Sequence, residues 1–299
     1  MFPHEVQGLS IRGQLVTERG GMADLPWWWV YLLLTLLGGT IGTYGTLIGA
    51  GGGIFLVPTL LLLYSRDSPN TIASISLAVV FFNAASGTFP YARMGRIDYR
   101  AGLLFAMATV PGAILGAYAT SLLSRRLFDL ILSGLILTLA AVIILRPTPQ
   151  AQPVRLRRYA LARRFTDANG VDYDYAFSTP RGVGLSFLIG WVSSMLGIGG
   201  GAFHVPVLVY LLHFPLHVAT ATSHFTLAIM SLFGSITHVA MGDFSQGIRR
   251  TLALGVGVLV GAQLGALLSQ RVRGITLIRI LALGLALFGI RLVIQAVQH

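Results

Sequence analysis

Apolar residues run through this chain in long unbroken stretches. Trp27–Tyr64, Ala101–Leu123, Leu127–Leu145 and Leu185–Leu212 are almost free of charge. About 20 such residues, rising ~1.5 Å each in a helix, cross a hydrocarbon core about 30 Å thick. These stretches predict transmembrane helices. Trp27–Tyr64 as one straight helix would be about 57 Å long, too long for a single crossing. The pattern therefore predicts a break at Gly49-Ala50-Gly51-Gly52-Gly53, with Pro58 a turn later, because glycine runs destabilise helix and proline removes an amide donor.

Further spans fall near residues 70–91, 100–122 and 127–145. After them comes Arg146–Arg181, with Pro147, Pro149 and Pro153, seven arginines and three aspartates, which reads as an extramembrane connector. The rhythm then repeats near 182–212, 216–241, 249–269 and 275–297. Residues repeat as well: Gly51-Gly52-Gly53-Ile54-Phe55-Leu56-Val57-Pro58 aligns with Gly199-Gly200-Gly201-Ala202-Phe203-His204-Val205-Pro206 at an offset of 148. Ala73-Ser74 falls on Ala221-Thr222, and Met94-Gly95 falls on Met241-Gly242 with a drift of one. The expected fold is an all-α polytopic membrane protein of two homologous halves, about four spans each, each opening with a glycine-broken helix. The divisions are a polar segment 1–26, a first repeat 27–145, a basic connector 146–181 and a second repeat 182–299. Four crossings per half would leave the halves parallel, whereas a glycine-broken segment that folds back would give five and invert them.

Composition agrees: 55% of the 299 residues are hydrophobic and 10% charged, far from the balance of a water-soluble domain. The net charge of +11 comes from 21 cations, all arginine, in short segments between the apolar runs. That placement reflects membrane topology and lipid headgroups as partners, not nucleic acid. The absence of cysteine removes disulfides, thiolate metal sites and cysteine nucleophiles. Residues 1–26 have no apolar core with a cleavage site, so the first span is expected to target the chain to the inner membrane. Met22, just before Asp24-Leu25-Pro26 and Trp27-Trp28-Trp29, is an alternative translation start to Met1.

The chemistry has two candidate seats. Paired glycine breaks free backbone donors at membrane depth, and half-helices beginning near Ile54 and Ala202 would direct amides and positive dipole ends at a small anion. Gly51, Gly52, Gly53, Gly199, Gly200 and Gly201 belong to this seat, with Pro58 and Pro206 as helix breakers; close helix packing is the alternative use for the glycines. The second seat is the polar face of the next helix in each half. It carries Ser74, Ser76 and Asn83 in the first, and Thr222, Ser223, His224 and Ser231 in the second. Thr220, Ser223, His224, Ser231 and His238 share one stripe at 100° per residue, and the hydroxyls either grip oxyanion oxygens or bond across helices. His204 and His224 lie at depths where an ionisable group is expensive. With His238 nearer its helix end, they are the candidates for anion binding or proton coupling, a neutral histidine bonded to a carbonyl being the structural alternative.

In the order of these elements the chain resembles the sulfite exporter TauE/SafE family from about Trp27 onward. The resemblance rests on the duplicated glycine element with Pro58 and Pro206 and on the Thr/Ser-rich helix after each. It extends to the helix ends Tyr91-Ala92-Arg93-Met94-Gly95-Arg96-Ile97-Asp98 and His238-Val239-Ala240-Met241-Gly242-Asp243-Phe244. It implies carriage of sulfite, sulfoacetate or other organosulfonates, with the glycine elements and polar helices forming the pathway. Two departures are the long basic connector and Phe244-Ser245 where a pair like Ile97-Asp98 is expected. The expected function is secondary transport of a small anion by alternating access; an anion channel or a non-transporting scaffold is the alternative. The chain has no lysine and no Walker loop, and no His-Glu-x-x-His or Gly-x-Ser-x-Gly, so neither ATP drive nor an enzyme is expected. No cofactor or metal is called for, and a homo-oligomer is compatible with the pattern.

Overall fold

A computed structural model describes residues 26–64, 66–145, 160–244 and 247–269, and five positions between 283 and 290. The polar segment before Pro26, both candidate start methionines, residues 146–159 of the connector and most of the 275–297 span lie outside the described residues. The molecule is mostly helical. Five of the described helices are long and apolar enough to cross a bilayer: α1 (Trp27–Leu47), α3 (Pro69–Arg93), α4 (Tyr99–Thr120), α8 (Leu216–Ala240) and α9 (Ile248–Ser269). Shorter helices are α2 (Gly53–Leu63), α6 (Thr179–Met195) and α7 (Gly201–Pro206), and α5 runs from Arg125 to Leu145. Local chemistry sets the helix starts near the interfaces. Ser68 accepts from the Thr71 amide at 3.2 Å with Pro69 in the first turn, and Asp98 accepts from the Ala101 amide at 3.1 Å, both satisfying orphan N-terminal donors.

Side-chain contacts orient the helices. A methyl on Gly257, Gly261 or Gly265 of α9 would overlap the carbonyls of Thr35, Gly39 and Thr43 in turn, so α1 and α9 run parallel with their backbones in contact. The Arg250 guanidinium, at the start of α9, lies 3.6 Å over the Tyr64 ring and pairs with Asp67. The end of α2 thus returns to the face where α1 and α9 begin. The glycine-broken segment folds back on itself. From there α3 crosses, reaching Thr46 with its Tyr91 hydroxyl, which donates to the Thr46 carbonyl at 2.8 Å. α4 returns, and α5 starts beside Asp67, whose carbonyl accepts from Arg125 at 2.9 Å. In the second half α6 enters parallel to α4, with Gly112 and Gly116 against the Phe187 and Trp191 carbonyls. α7 then turns back through a π-helical segment, Val207–Leu211.

The connector is not featureless. Strands β1 (Ala160–Thr166) and β2 (Asp172–Ser178) form an antiparallel hairpin pairing Arg163 with Tyr175, a small extramembrane addition to the helical fold. Tyr173, Tyr175 and Phe177 alternate inward on β2, as a period of two requires. They join Phe105, Leu212 and Phe214 in one buried cluster capping the end of the bundle. Two ion pairs fasten this hairpin. Arg163 donates to both Asp98 oxygens, at 2.7 and 2.9 Å, and Tyr175 donates to the same carboxylate at 2.7 Å. Arg96 donates to Asp167 at 3.2 Å. Asp98 is therefore a buried docking anion, not merely an interfacial charge. Burial pushes its pKa up, but the Arg163, Tyr175 and Ala101 donors outweigh this and hold it below the usual carboxylate range. A lowered folded pKa stabilises above the unfolded value of about 4 and stops doing so as pH falls through the folded one. Asp98→Ala leaves Arg163 without its partner, and thermal unfolding in detergent should show a loss of about 3 kcal/mol at neutral pH, narrowing below about pH 4.

Candidate functional site

Each broken helix ends in a loop that L side chains rarely adopt. Gly49, Gly51 and Gly52 have φ of 75°, 71° and 81°, and Gly197 and Gly199 have φ of 70° and 63°. Only glycine holds these left-handed values without cost. The two breaks meet at the centre of the molecule. A methyl on Gly53 would overlap the Ile198 carbonyl, and one on Gly201 would lie 2.5 Å from the Gly49 carbonyl. The start of each short helix therefore sits backbone to backbone on the opposite break. The prolines do not make the breaks, contrary to the expectation from the sequence. Pro58 lies inside α2, while Pro206 ends α7, where the helix widens to the π form. Glycine ends the preceding helix before either proline is reached, and the π-helical turn begins directly after Pro206.

Around the first break lies a closed polar cluster. Thr46 Oγ1 donates to Asn83 Oδ1 at 3.2 Å and lies 3.4 Å from His224 Nε2. The Tyr91 ring packs edge-on against the His224 imidazole with centroids 5.7 Å apart, and Gly87 leaves room for the His224 ring. Ser223 donates to the Gly49 carbonyl at 3.4 Å. Asn83 Nδ2 is buried and makes no hydrogen bond. Nor does His224 Nδ1 at normal geometry, although the Asn83 and Gly49 carbonyls lie beside the ring. Around the second break, Ser193 and Ser194 carry buried hydroxyls without partners. Gly200 would meet Ser193 Oγ and Met230 Sδ, and Gly234 would meet Ser194 Oγ and Leu77. Ser76, on α3, is likewise buried and unpartnered. Burying such groups unpaired costs roughly 1–3 kcal/mol each, so their clustering beside the breaks marks a place where a ligand's acceptors would be stabilised.

Not every polar residue read from the sequence belongs here. Ser74 donates to Thr71 and, at 3.4 Å, to the Asp243 carbonyl. Thr222 accepts from the Asp98 amide at 3.0 Å, and Ser231 donates to Leu227 of its own helix. His204 sits apart, 3.1 Å from Ser186 Oγ and edge-on to Phe105. His238 lies at the far end of α8, its Nδ1 3.1 Å from Asp243, with Nε2 buried and unpartnered. Asn70 donates to the same aspartate at 3.3 Å. Thr46, Ser193 and Ser194 are absent from the sequence reading, and Tyr91 enters it only as the first residue of a helix-end motif. One signal pointed to them, since Thr46 and Ser194 are equivalent at the offset of 148.

Among the described residues no cluster of His, Cys, Asp or Glu could hold a metal ion. The sequence matches the family described as sulfite exporter TauE/SafE over residues 17–292. It is similar to the probable membrane transporter protein YunE of Bacillus subtilis, with 31% identity over 89% of this chain and 98% of that one. A probable membrane transporter protein of Xylella fastidiosa is 28% identical over 78% of this chain and 83% of its own length. The probable membrane transporter protein MJ0441 of Methanocaldococcus jannaschii is 21% identical over 80% of this chain and 86% of its own. No solved structure matches. These relatives are described as transporters rather than enzymes, and the match along nearly the whole chain, with several apolar helices, places the protein in a membrane. The chain belongs to the sulfite exporter TauE/SafE family.

Proposed function

We propose that this protein is a secondary transporter of the inner membrane. Its substrate is a small anion such as sulfite, sulfoacetate or another organosulfonate, carried by alternating access of two inverted halves. The observation that carries the reading is the meeting of the two glycine breaks beside buried donors that have no partner. Asn83 Nδ2, the Ser193 and Ser194 hydroxyls and a His224 N–H are donors that suit oxyanion oxygens, and none brings a competing carboxylate. The relatives' description as membrane transporters supports the same reading.

Inversion is supported by contacts that recur with the halves exchanged. Gly261 and Gly265 lie on the carbonyls of Gly39 and Thr43, while Gly112 and Gly116 lie on those of Phe187 and Trp191. Each residue of one set is 148 or 149 positions from its equivalent in the other. Five segments in the first half, α1 to α5 with α2 the returning one, reverse the second half relative to the first.

Proton coupling, in this reading, runs through His238. Its Asp243 partner orients the ring and leaves Nε2 buried without a bond, whereas Ser186 engages His204 and His224 stands in the anion-binding cluster beside Thr46. The test is uptake of radiolabelled sulfite and sulfoacetate into proteoliposomes, with chloride and acetate as comparisons. Saturable flux of a sulfur oxyanion that responds to an imposed pH gradient is expected. His238→Gln should retain saturable flux and lose the response to the gradient. Flux of none of the sulfur anions would remove the substrate reading.

A further inference from the structure

Two side chains stand between the polar clusters. Val80 on α3 and Leu227 on α8 each lie 11 residues from the start of their helix. With α3 and α8 running in opposite directions, that puts both about 16 Å along their spans, near the middle of the bilayer. Both are buried, at 0% and 2% exposure, and belong to an apolar cluster with Leu77, Ala84, Ala113 and Met230. The two breaks press on this same pair. A methyl on Gly51 would run into the Leu227 side chain and lie 3.4 Å from Val80, while one on Gly199 would lie 2.6 Å from Val80 and 3.2 Å from Leu227. Val80 also touches the start of α2, 2.7 Å from where Gly53 would carry a methyl. One cluster, Thr46, Asn83 and His224, lies toward the hairpin face. The other, Ser193 and Ser194 with Met230 and Gly234, lies toward the opposite face.

We infer that Val80 and Leu227 form the central gate of this protein, an apolar seal against which both glycine breaks close. This rests on the carrier reading and adds the residues that keep its two sides separate. An aliphatic constriction excludes water, and a desolvated anion cannot cross it. The seal is made against bare glycine backbone, so a small displacement of either break opens a path without any side chain having to swing aside. The clusters it divides are unequal: the offset of 147 that relates Val80 to Leu227 sets Met230 against Asn83 and Leu77 against His224. The anion accordingly meets Asn83 and His224 on the hairpin side of the gate and the Ser193 and Ser194 hydroxyls on the other.

The test is passive chloride leak into proteoliposomes, read by a chloride-quenched dye, alongside saturable sulfite uptake. The double variant Val80→Ala/Leu227→Ala removes five carbon atoms, space for several waters at about 30 Å³ each. It should raise chloride leak at least tenfold over the unsubstituted protein. Val80→Ile/Leu227→Met, which keeps the seal filled, should not leak. A folded double variant with no added leak overturns the gate. If the double variant does not fold, Val80→Phe reads the same point: a plugged gate abolishes uptake while sulfite still raises the unfolding temperature, and undiminished uptake refutes it. Leak in the double variant without sulfite uptake by the unsubstituted protein would keep the gate and remove the substrate. Saturable sulfite uptake with no leak in the double variant would do the reverse.

Discussion

Gly53→Ala should abolish transport and destabilise the protein, as should Gly201→Ala. The added methyl meets backbone, not the far end of a flexible side chain: the Ile198 carbonyl in the first case, the Gly49 and Ala50 backbone in the second. The two breaks must then separate. Overpacking a well-fitted interior costs about 1–3 kcal/mol, more where backbone has to move, and the upper end of that range is expected for both positions. Thermal unfolding in detergent and proteoliposome uptake read the two effects. Gly134→Ala and Gly184→Ala are the controls, because a methyl at either meets nothing within 4 Å. In a helix that change is neutral or stabilising by up to about 1 kcal/mol. Equal behaviour of all four variants would mean that the breaks do not support each other.

Asn83→Leu should separate stability from function. Asn83 Nδ2 is buried without a partner, a state that costs roughly 1–3 kcal/mol, and an apolar replacement of similar size removes that cost. The Thr46 hydroxyl that loses the Asn83 oxygen still has His224 beside it. The variant should therefore unfold at an unchanged or higher temperature. If the amide donates to the substrate anion, losing a hydrogen bond to a charged group weakens binding by about 1.5–3 kcal/mol, roughly 10- to 150-fold. The expected result is a raised half-saturation concentration in a protein at least as stable as before. Unchanged uptake would place the anion elsewhere, and a drop in stability would make Asn83 a structural residue.

The helical spans were legible because an apolar run of this length has few other fates, and the glycine runs marked both breaks. The direction of α2 was not legible. It depends on the contact of Tyr64 and Asp67 with Arg250, far apart in sequence, and the arginines fall on loops of both faces. The hairpin was hidden inside a segment read as polar, although Tyr173, Tyr175 and Phe177 alternate with Asp172, Asp174 and Ala176. Periodicity grouped Thr220, Ser223, His224, Ser231 and His238 on one stripe of α8, and all five are buried. It could not say which groups satisfy themselves: Ser231 bonds its own helix and Thr222 the Asp98 amide, while His224 faces the break. Phe244-Ser245 departs from the first half's Ile97-Asp98, and the acid of this end is instead Asp243, paired with His238.

Trans-stimulation is the most direct measurement of the central claim, that one site between the two breaks is offered in turn to each side. Proteoliposomes are loaded with unlabelled sulfite or left empty, and initial uptake of labelled sulfite is compared. A carrier that must return its site across the membrane takes up label faster when the inside is loaded. Uptake that is unaffected or slowed by internal sulfite, and does not saturate, would mean an open anion pore and would contradict alternating access.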